Sequence, residues 1–323
     1  MLSRTLRSTL TLTELGMGTA QLGNLYRETT DAEARAAVDA AWDAGIRYFD
    51  TAPHYGLGLS ERRLGAALAS RPREDYVLST KVGRLIVPSG YPEGTTDDEG
   101  YAVPATQRRE WDLSRDGIRR SVHESLERLG LDRIDIAYLH DPDDHGDEAH
   151  AEAIPALIEL REEGVVRAVG AGMNQSAMPA EFVRRHDVDV IMLAGRYTLL
   201  EQGALDELLP LAVERGVGIV AAAVYNSGLL SRPRPPADAH YDYAQAPAEL
   251  IARANAIADV CEEFGITLPE AAIAYPLRHP AVVSVVVGTR TAEQVLGTVE
   301  RYEHEMPAEF WTALDERGLV RRA

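Results

Sequence analysis

Short apolar runs punctuate the chain at near-regular intervals: GMGTA, RYFDTA, YVLSTKV, IDIAYLH, RAVGAGM, VIMLAG, GIVAAAV and VSVVVGT. Between them lie longer stretches whose apolar residues recur three and four apart, for example 31–44, 60–69, 114–129, 148–163 and 204–215. Most of these open on Ser, Thr or Asp, whose side chains cap a helix N-terminus, and several close on Gly, which ends a helix cheaply. The pattern predicts strand then helix, repeated about eight times. Such alternation gives a parallel sheet covered by helices, and eight units over this length favour the closed (β/α)8 TIM barrel of the α/β class. No linker interrupts the pattern, so residues 1–323 are expected to form one domain.

Three segments stand outside this rhythm. Residues 6–12 alternate Leu with polar residues and are expected to form a hairpin that plugs the bottom of the barrel. Residues 83–113, after the third strand, and 231–245, after the seventh, are too long for plain connections. Both leave the C-terminal end of a strand, where barrel active sites are built, and long loops there are usually functional or mobile. The first is expected to close over a substrate and the second over a cofactor.

Composition narrows the partners. A formal net charge of -18 argues against nucleic acid or anionic membrane, since a phosphate backbone calls for a basic face. The 45% hydrophobic content supports a large core. The only cysteine, Cys261, rules out an internal disulfide, suits a cytoplasmic protein and sits in an apolar helical pattern as a core residue would. No sustained apolar segment at the N-terminus reads as a signal peptide, and no run reaches membrane-spanning length.

Polar residues at the C-terminal ends of barrel strands are the candidate chemistry. Asp50 ends the second strand, Lys81 the third and His140 the fourth, while Tyr55 follows Asp50 on the next loop. Each alone has an ordinary structural explanation. At consecutive strand ends they would meet at one mouth. A tyrosine titrates near 10, and a neighbouring ammonium favours its phenolate. Asp50 would hold the lysine, and His140 would position an oxygen beside Tyr55. That set suits moving a proton on or off a carbonyl or alcohol oxygen while hydride moves at its carbon, and hydride needs a nicotinamide.

The motifs DTAPHYGLGLSERRLGAAL from Asp50, STKVG around Lys81, DIAYLHDPDD through His140, AGMNQS around Asn174 and VVVGTRTAEQV resemble the aldo-keto reductase family, in this order and over nearly the whole chain. The resemblance implies a (β/α)8 barrel, bound NADP or NAD, and a catalytic tetrad of Asp50, Tyr55, Lys81 and His140. It places Gly18 and Thr19, with Asp50, beside the nicotinamide ribose, and Asn174 on the carboxamide. Ser227, Gly228 and Leu229 fall on the pyrophosphate loop, and Gly288, Thr289, Arg290 and Gln294 on the adenosine end. Arg290 would pair a 2′-phosphate. Five positions depart from the family pattern: Met173 stands in place of Ser, Ala194 in place of Gln, Gly297 and Thr298 in place of the Glu and Asn that follow Gln294, and Ala222 in place of the aromatic stacked on nicotinamide, for which Tyr225 is the candidate substitute.

The segments LHDPDDH and AAVYNSGLL are most similar to the branch of D-threo-aldose 1-dehydrogenase, L-fucose or L-galactose dehydrogenase and pyridoxal 4-dehydrogenase. That branch implies oxidation of an aldose at C1 to a lactone, or action on a related carbonyl compound. A polyhydroxylated ring needs several polar partners, and His54, Arg84, Trp111, Asp141, His145 and Asn226 are the candidates. Four other readings stay open. These are a reductase of an aldehyde or ketone in natural-product metabolism, a non-catalytic cofactor-binding partner subunit, a Schiff-base enzyme using Lys81, and a metal hydrolase. The histidine and aspartate spacing in HDPDDH matches no barrel metal site, so no metal is expected.

Overall fold

The computed structural model describes residues 1–7, 10–236, 238–241 and 244–321. Eight parallel strands close into a barrel: β1 (Leu15–Gly18), β2 (Tyr48–Asp50), β3 (Val77–Val82), β4 (Ile136–His140), β5 (Ala168–Met173), β6 (Val190–Ala194), β7 (Gly218–Ala222) and β8 (Val282–Gly288). Each pairs with its sequence neighbours, and β8 closes on β1. All eight coincide with the apolar runs. The reason is burial on both faces: lumen on one side, helices on the other, so the strands need no polar alternation.

Helices cover the outside. Asp31–Asp43 starts from a capping box in which Thr30 accepts from the Glu33 amide and the Glu33 carboxylate accepts from Thr30. Arg115–Leu129 starts from the Ser114 hydroxyl and ends on Gly130 in the left-handed region. The segment expected as one helix over 148–163 is instead a short α turn, a π-helical stretch Ala149–Ala153 and the helix Ile154–Glu162. Between β7 and β8 lie two helices, Ala248–Glu263 and Leu268–Ala274. The second packs beside Ala292–Glu303, and the first packs against the C-terminal helix Ala308–Glu316. Cys261 is buried in the first, and burial pushes its thiol up to about 12, which removes it from chemistry.

The floor of the barrel is closed by an antiparallel hairpin, Ser3–Thr5 with Thr11–Thr13. It sends Leu6, Leu10 and Leu12 into the lumen against Val77, Ile136, Val190 and Val220. Ser8 and Thr9 at its tip lie outside the described residues. The loop 83–113 is not structureless. Its ends form an antiparallel pair, Arg84–Pro88 with Gln107–Trp111, and bridges Leu25↔Tyr101 and Thr96↔Pro104 tie down the middle. Segment 231–245 carries a short pair, His240–Tyr241 with Ala244–Gln245. Ala237, Asp242 and Tyr243 within it lie outside the described residues.

Among the described residues no helix is long and apolar enough to cross a membrane.

The closest approach in the sheet is at Gly170, where a Cβ would lie 1.6 Å from the Val190 carbonyl oxygen. Gly170→Ala must therefore spread β5 from β6. It is expected to cost about 1–3 kcal/mol in urea unfolding, or to prevent folding. An unchanged midpoint would contradict this packing.

Candidate active site

Asp50 and His140 are the last residues of β2 and β4 and Lys81 is the last but one of β3, and each points into the mouth because inward positions alternate along a strand. The Lys81 ammonium lies 2.6 Å from Asp50 Oδ2 and also donates to the Thr51 carbonyl at 3.0 Å. Both side chains of this ion pair are almost fully buried. Burial raises the Asp50 carboxyl above its ordinary range, while Lys81 and the Ser79 hydroxyl, 2.6 Å from Oδ1, oppose that rise.

Tyr55 reaches the same mouth from the loop after β2. Its ring lies with its centroid 4.7 Å from the Lys81 ammonium and edge-on to His140 at 5.9 Å. The Tyr-Gly sequence has a backbone cause. Gly56 has φ 63°, and a Cβ there would stand 2.1 Å from the Gly23 carbonyl oxygen. Two glycine backbones thus press together and fix the tyrosine ahead of them. Thr19 and Ser60 hold the same loop from beneath, with the Thr19 hydroxyl donating to the Asp50 carbonyl at 2.8 Å.

His140 is buried, and burial together with Lys81 pushes its imidazole well below the ordinary range, so the ring is neutral near pH 7. His54, edge-on to it at 5.4 Å, is lowered to about 2 by burial and then by Arg109, Arg84 and Lys81. Beyond them lies a connected polar rim. Arg84 stands 3.3 Å from His54 Nδ1, 3.8 Å from Asp141 Oδ2 and 4.5 Å over the Trp111 ring, which meets His145 at 4.7 Å. Asp141 has φ 43° and a carboxyl raised to about 6, chiefly by burial and against the pull of Arg84. Five of the six expected rim residues therefore come together.

Asn226 does not. Its amide accepts from the Thr198 hydroxyl at 2.6 Å and donates to the Gly195 carbonyl, so it serves a loop of the scaffold. Conversely, Tyr101 and Arg109 join the rim unannounced. Tyr101 lies against His54 and Tyr55, and Arg109 donates to the His54 carbonyl at 2.8 Å. Both sit inside loop 83–113, where no sequence spacing relates them to the tetrad.

A cleft runs from the tetrad across the top of the barrel as three adjoining concavities of about 290, 700 and 1220 Å3, all of which include Gln21 and Gly288. The first is lined by the tetrad and by the apolar Met173, Met192, Ala194, Ala222 and Ala223.

The family model for the aldo/keto reductase family matches residues 14–318. The chain belongs to the aldo/keto reductase family. It is 51% identical over 314 residues to D-threo-aldose 1-dehydrogenase of Pseudomonas sp, covering 96% of this chain and 95% of that one. It is 43% identical to pyridoxal 4-dehydrogenase of Microbacterium luteolum, covering 97% and 96%. The holo form of an aldo-keto reductase from Bacillus halodurans superposes with a TM-score of 0.77 at 31% identity, covering 100% of this chain and 97% of that one. This aldo-keto reductase is an NAD(P)-dependent oxidoreductase acting on a small sugar or carbonyl compound.

The cleft fits a dinucleotide. Gln21 Oε1 and the Thr289 hydroxyl are buried without a hydrogen-bond partner among the described residues, and both residues line it. Gly18, Thr19 and Asn174 line the tetrad end, Ser227 and Gly228 the middle, and Gly288, Thr289, Arg290 and Gln294 the far end. Several expected roles change in detail. Arg290 is buried, and its guanidinium donates to the carbonyls of Leu25 and Arg27, at 2.5 and 2.9 Å, and to the Thr29 hydroxyl. It clasps the loop after β1 instead of facing outward to a 2′-phosphate. The Gln294 side chain accepts from the Arg290 amide at 2.8 Å. The amides of Gly228 and Leu229 donate within their own turn, to Tyr225 and Asn226, and the Leu229 side chain is buried in the core. Tyr225 lines the outer concavities, away from the tetrad, so it does not replace the missing aromatic; Ala222 and Ala223 leave that wall small.

Because Arg290 acts on the loop, Arg290→Ala should lower the melting temperature and weaken NADH and NADPH binding by similar factors. Fluorescence titration with both cofactors checks this. A selective loss of NADPH would return Arg290 to the 2′-phosphate.

Proposed function

We propose that this barrel oxidises an aldose at C1 to its lactone, with Asp50, Tyr55, Lys81 and His140 as the catalytic set. The observation that carries the reading is the polar rim of Arg84, His54 and Asp141, set directly against His140. A ring bearing several hydroxyls needs such partners, whereas a plain aldehyde has no hydroxyl to engage them. The similarity to D-threo-aldose 1-dehydrogenase points the same way.

The roles follow from the geometry. Nicotinamide, when bound, supplies the hydride acceptor. Tyr55 takes the proton of the anomeric hydroxyl as hydride leaves C1, and returns it in the reverse direction. The Lys81 ammonium against its ring favours the phenolate, and Asp50 holds that ammonium in place. Neutral His140 has one N–H and one lone pair to offer the reacting oxygen, without a second positive charge. Thr19, Asn174, Ser227, Gly228, Thr289 and Gln21 hold the cofactor, and the small wall at Ala194, Ala222 and Ala223 leaves room for its ring. Hydroxyls beyond C1 meet Asp141, Arg84 and His54, with Trp111 and His145 at the outer edge.

The test is absorbance at 340 nm with NAD+ and NADP+ separately, against L-fucose, L-galactose, D-arabinose and pyridoxal, with simple aldehydes in reverse. Turnover with an aldose is expected; turnover confined to simple aldehydes would overturn the sugar reading. Tyr55→Phe should lower kcat by about 10²–10⁴ while cofactor affinity stays unchanged. Near wild-type turnover in that variant would remove Tyr55 from its role.

A further inference from the structure

The strands that carry the tetrad share a second pattern. Each ends in a hydroxyl residue, a spacer and a charged or titratable residue: Tyr48-Phe49-Asp50, Ser79-Thr80-Lys81 and Tyr138-Leu139-His140. Residues two apart in a strand face the same side. One layer below the tetrad, the lumen therefore holds three hydroxyls where barrel interiors usually hold branched apolar side chains. All three residues are fully buried.

These hydroxyls are connected. The Tyr138 and Tyr48 oxygens are 3.1 Å apart, Tyr48 is 3.1 Å from Ser79 Oγ, and Ser79 donates to Asp50 Oδ1 at 2.6 Å. The direction of every bond follows from the anion at the end. A carboxylate only accepts, so the single Ser79 proton goes to Asp50. Tyr48 must then donate to Ser79, and Tyr138 must donate to Tyr48. Three donors align toward one carboxylate, each polarising the next.

We propose that Ser79, backed by Tyr48 and Tyr138, is a positioning relay that keeps Asp50 ionised beneath Lys81 and thereby fixes the acidic limit of the reductive reaction. The inference rests on the tetrad reading above. Asp50 Oδ2 is held by Lys81, and Oδ1 has Ser79 as its donor. The other groups facing Asp50 do not replace that donor. β1 reads Leu-Gly-Met-Gly and brings no charge. From β4 come Tyr138 and neutral His140, and from the loop after β2 come Tyr55 and neutral His54. Burial raises both Tyr48 and Tyr138 above the ordinary phenol, so both remain protonated donors across the range in which the enzyme works.

The sign is fixed by the charge that matters. In the direction of reduction, where Tyr55 serves as the acid and sets no acid limb of its own, activity requires ionised Asp50 and falls as pH drops through its pKa. Removing a donor to the carboxylate raises that pKa, so the acid limb of kcat/KM against pH moves upward. Ser79→Ala should shift the limb by about one pH unit and lower kcat below it, with cofactor affinity at high pH unchanged. Tyr48→Phe, which keeps the ring and removes only the hydroxyl, should shift it in the same direction by less. Ser79→Thr, which restores a hydroxyl, should return the limb toward wild type. If Ser79→Ala does not fold, Tyr48→Phe decides alone. Lower melting temperatures with an unmoved acid limb would overturn the relay and leave only packing. An active Tyr55→Phe enzyme would instead overturn the tetrad, which separates the two failures.

Discussion

The ion pair between Asp50 and Lys81 is the constraint around which the mouth is arranged. Two opposite charges sit at the end of a barrel lumen, nearly shut off from water. Such a pair holds together only when its remaining hydrogen-bonding capacity is met. The Thr51 carbonyl meets part of it on the lysine side, and Ser79 on the aspartate side. Lys81 then lies against the Tyr55 ring, and its positive charge helps to keep His140 neutral. A change at any of these groups reaches the tyrosine through the same pair.

Around this centre the barrel divides its labour by side. The apolar Met173, Met192, Ala194, Ala222 and Ala223 line the tetrad end of the cleft. Opposite them, loop 83–113 supplies Arg84, Tyr101, Arg109 and Trp111 to the rim. That loop is folded as a hairpin, Arg109 pairs with Asp97 within it, and the same guanidinium anchors it to the His54 carbonyl. The rim residues it carries are therefore held in place before any ligand arrives, which lowers the ordering cost of binding.

What could be read from sequence was whatever obeys a short period. The eight strands are apolar runs of the right length, and Asp50, Lys81 and His140 stand where those runs end. Tyr55 was legible because it follows Asp50 on the next loop, within the same motif. The residues whose side chains turn out to be engaged elsewhere share a reason: their partners lie far away in sequence. Arg290 is taken up by carbonyls near residue 27, and Asn226 by Gly195 and Thr198. Neither partner leaves a pattern in composition or spacing. Gln21, whose buried oxygen faces the cleft, follows the Gly18-Thr19 turn closely but carries no motif of its own. The hydroxyl-spacer-charge pattern of the three tetrad strands was present in the sequence, and its meaning emerges only once the strands are known to be neighbours.

The account turns on hydride leaving the anomeric carbon of a sugar at this mouth. The most direct measurement is transfer of label. An aldose deuterated at C1, chosen from those that turn over, is incubated with the enzyme and oxidised cofactor, and the reduced cofactor is examined by NMR. Deuterium at C4 of the nicotinamide, with the lactone as coproduct, is the expected result. Reduced cofactor without deuterium, alongside a sugar that keeps its label, would show that hydride comes from another carbon and would contradict the assignment of C1 to the space between Tyr55, His140 and the nicotinamide.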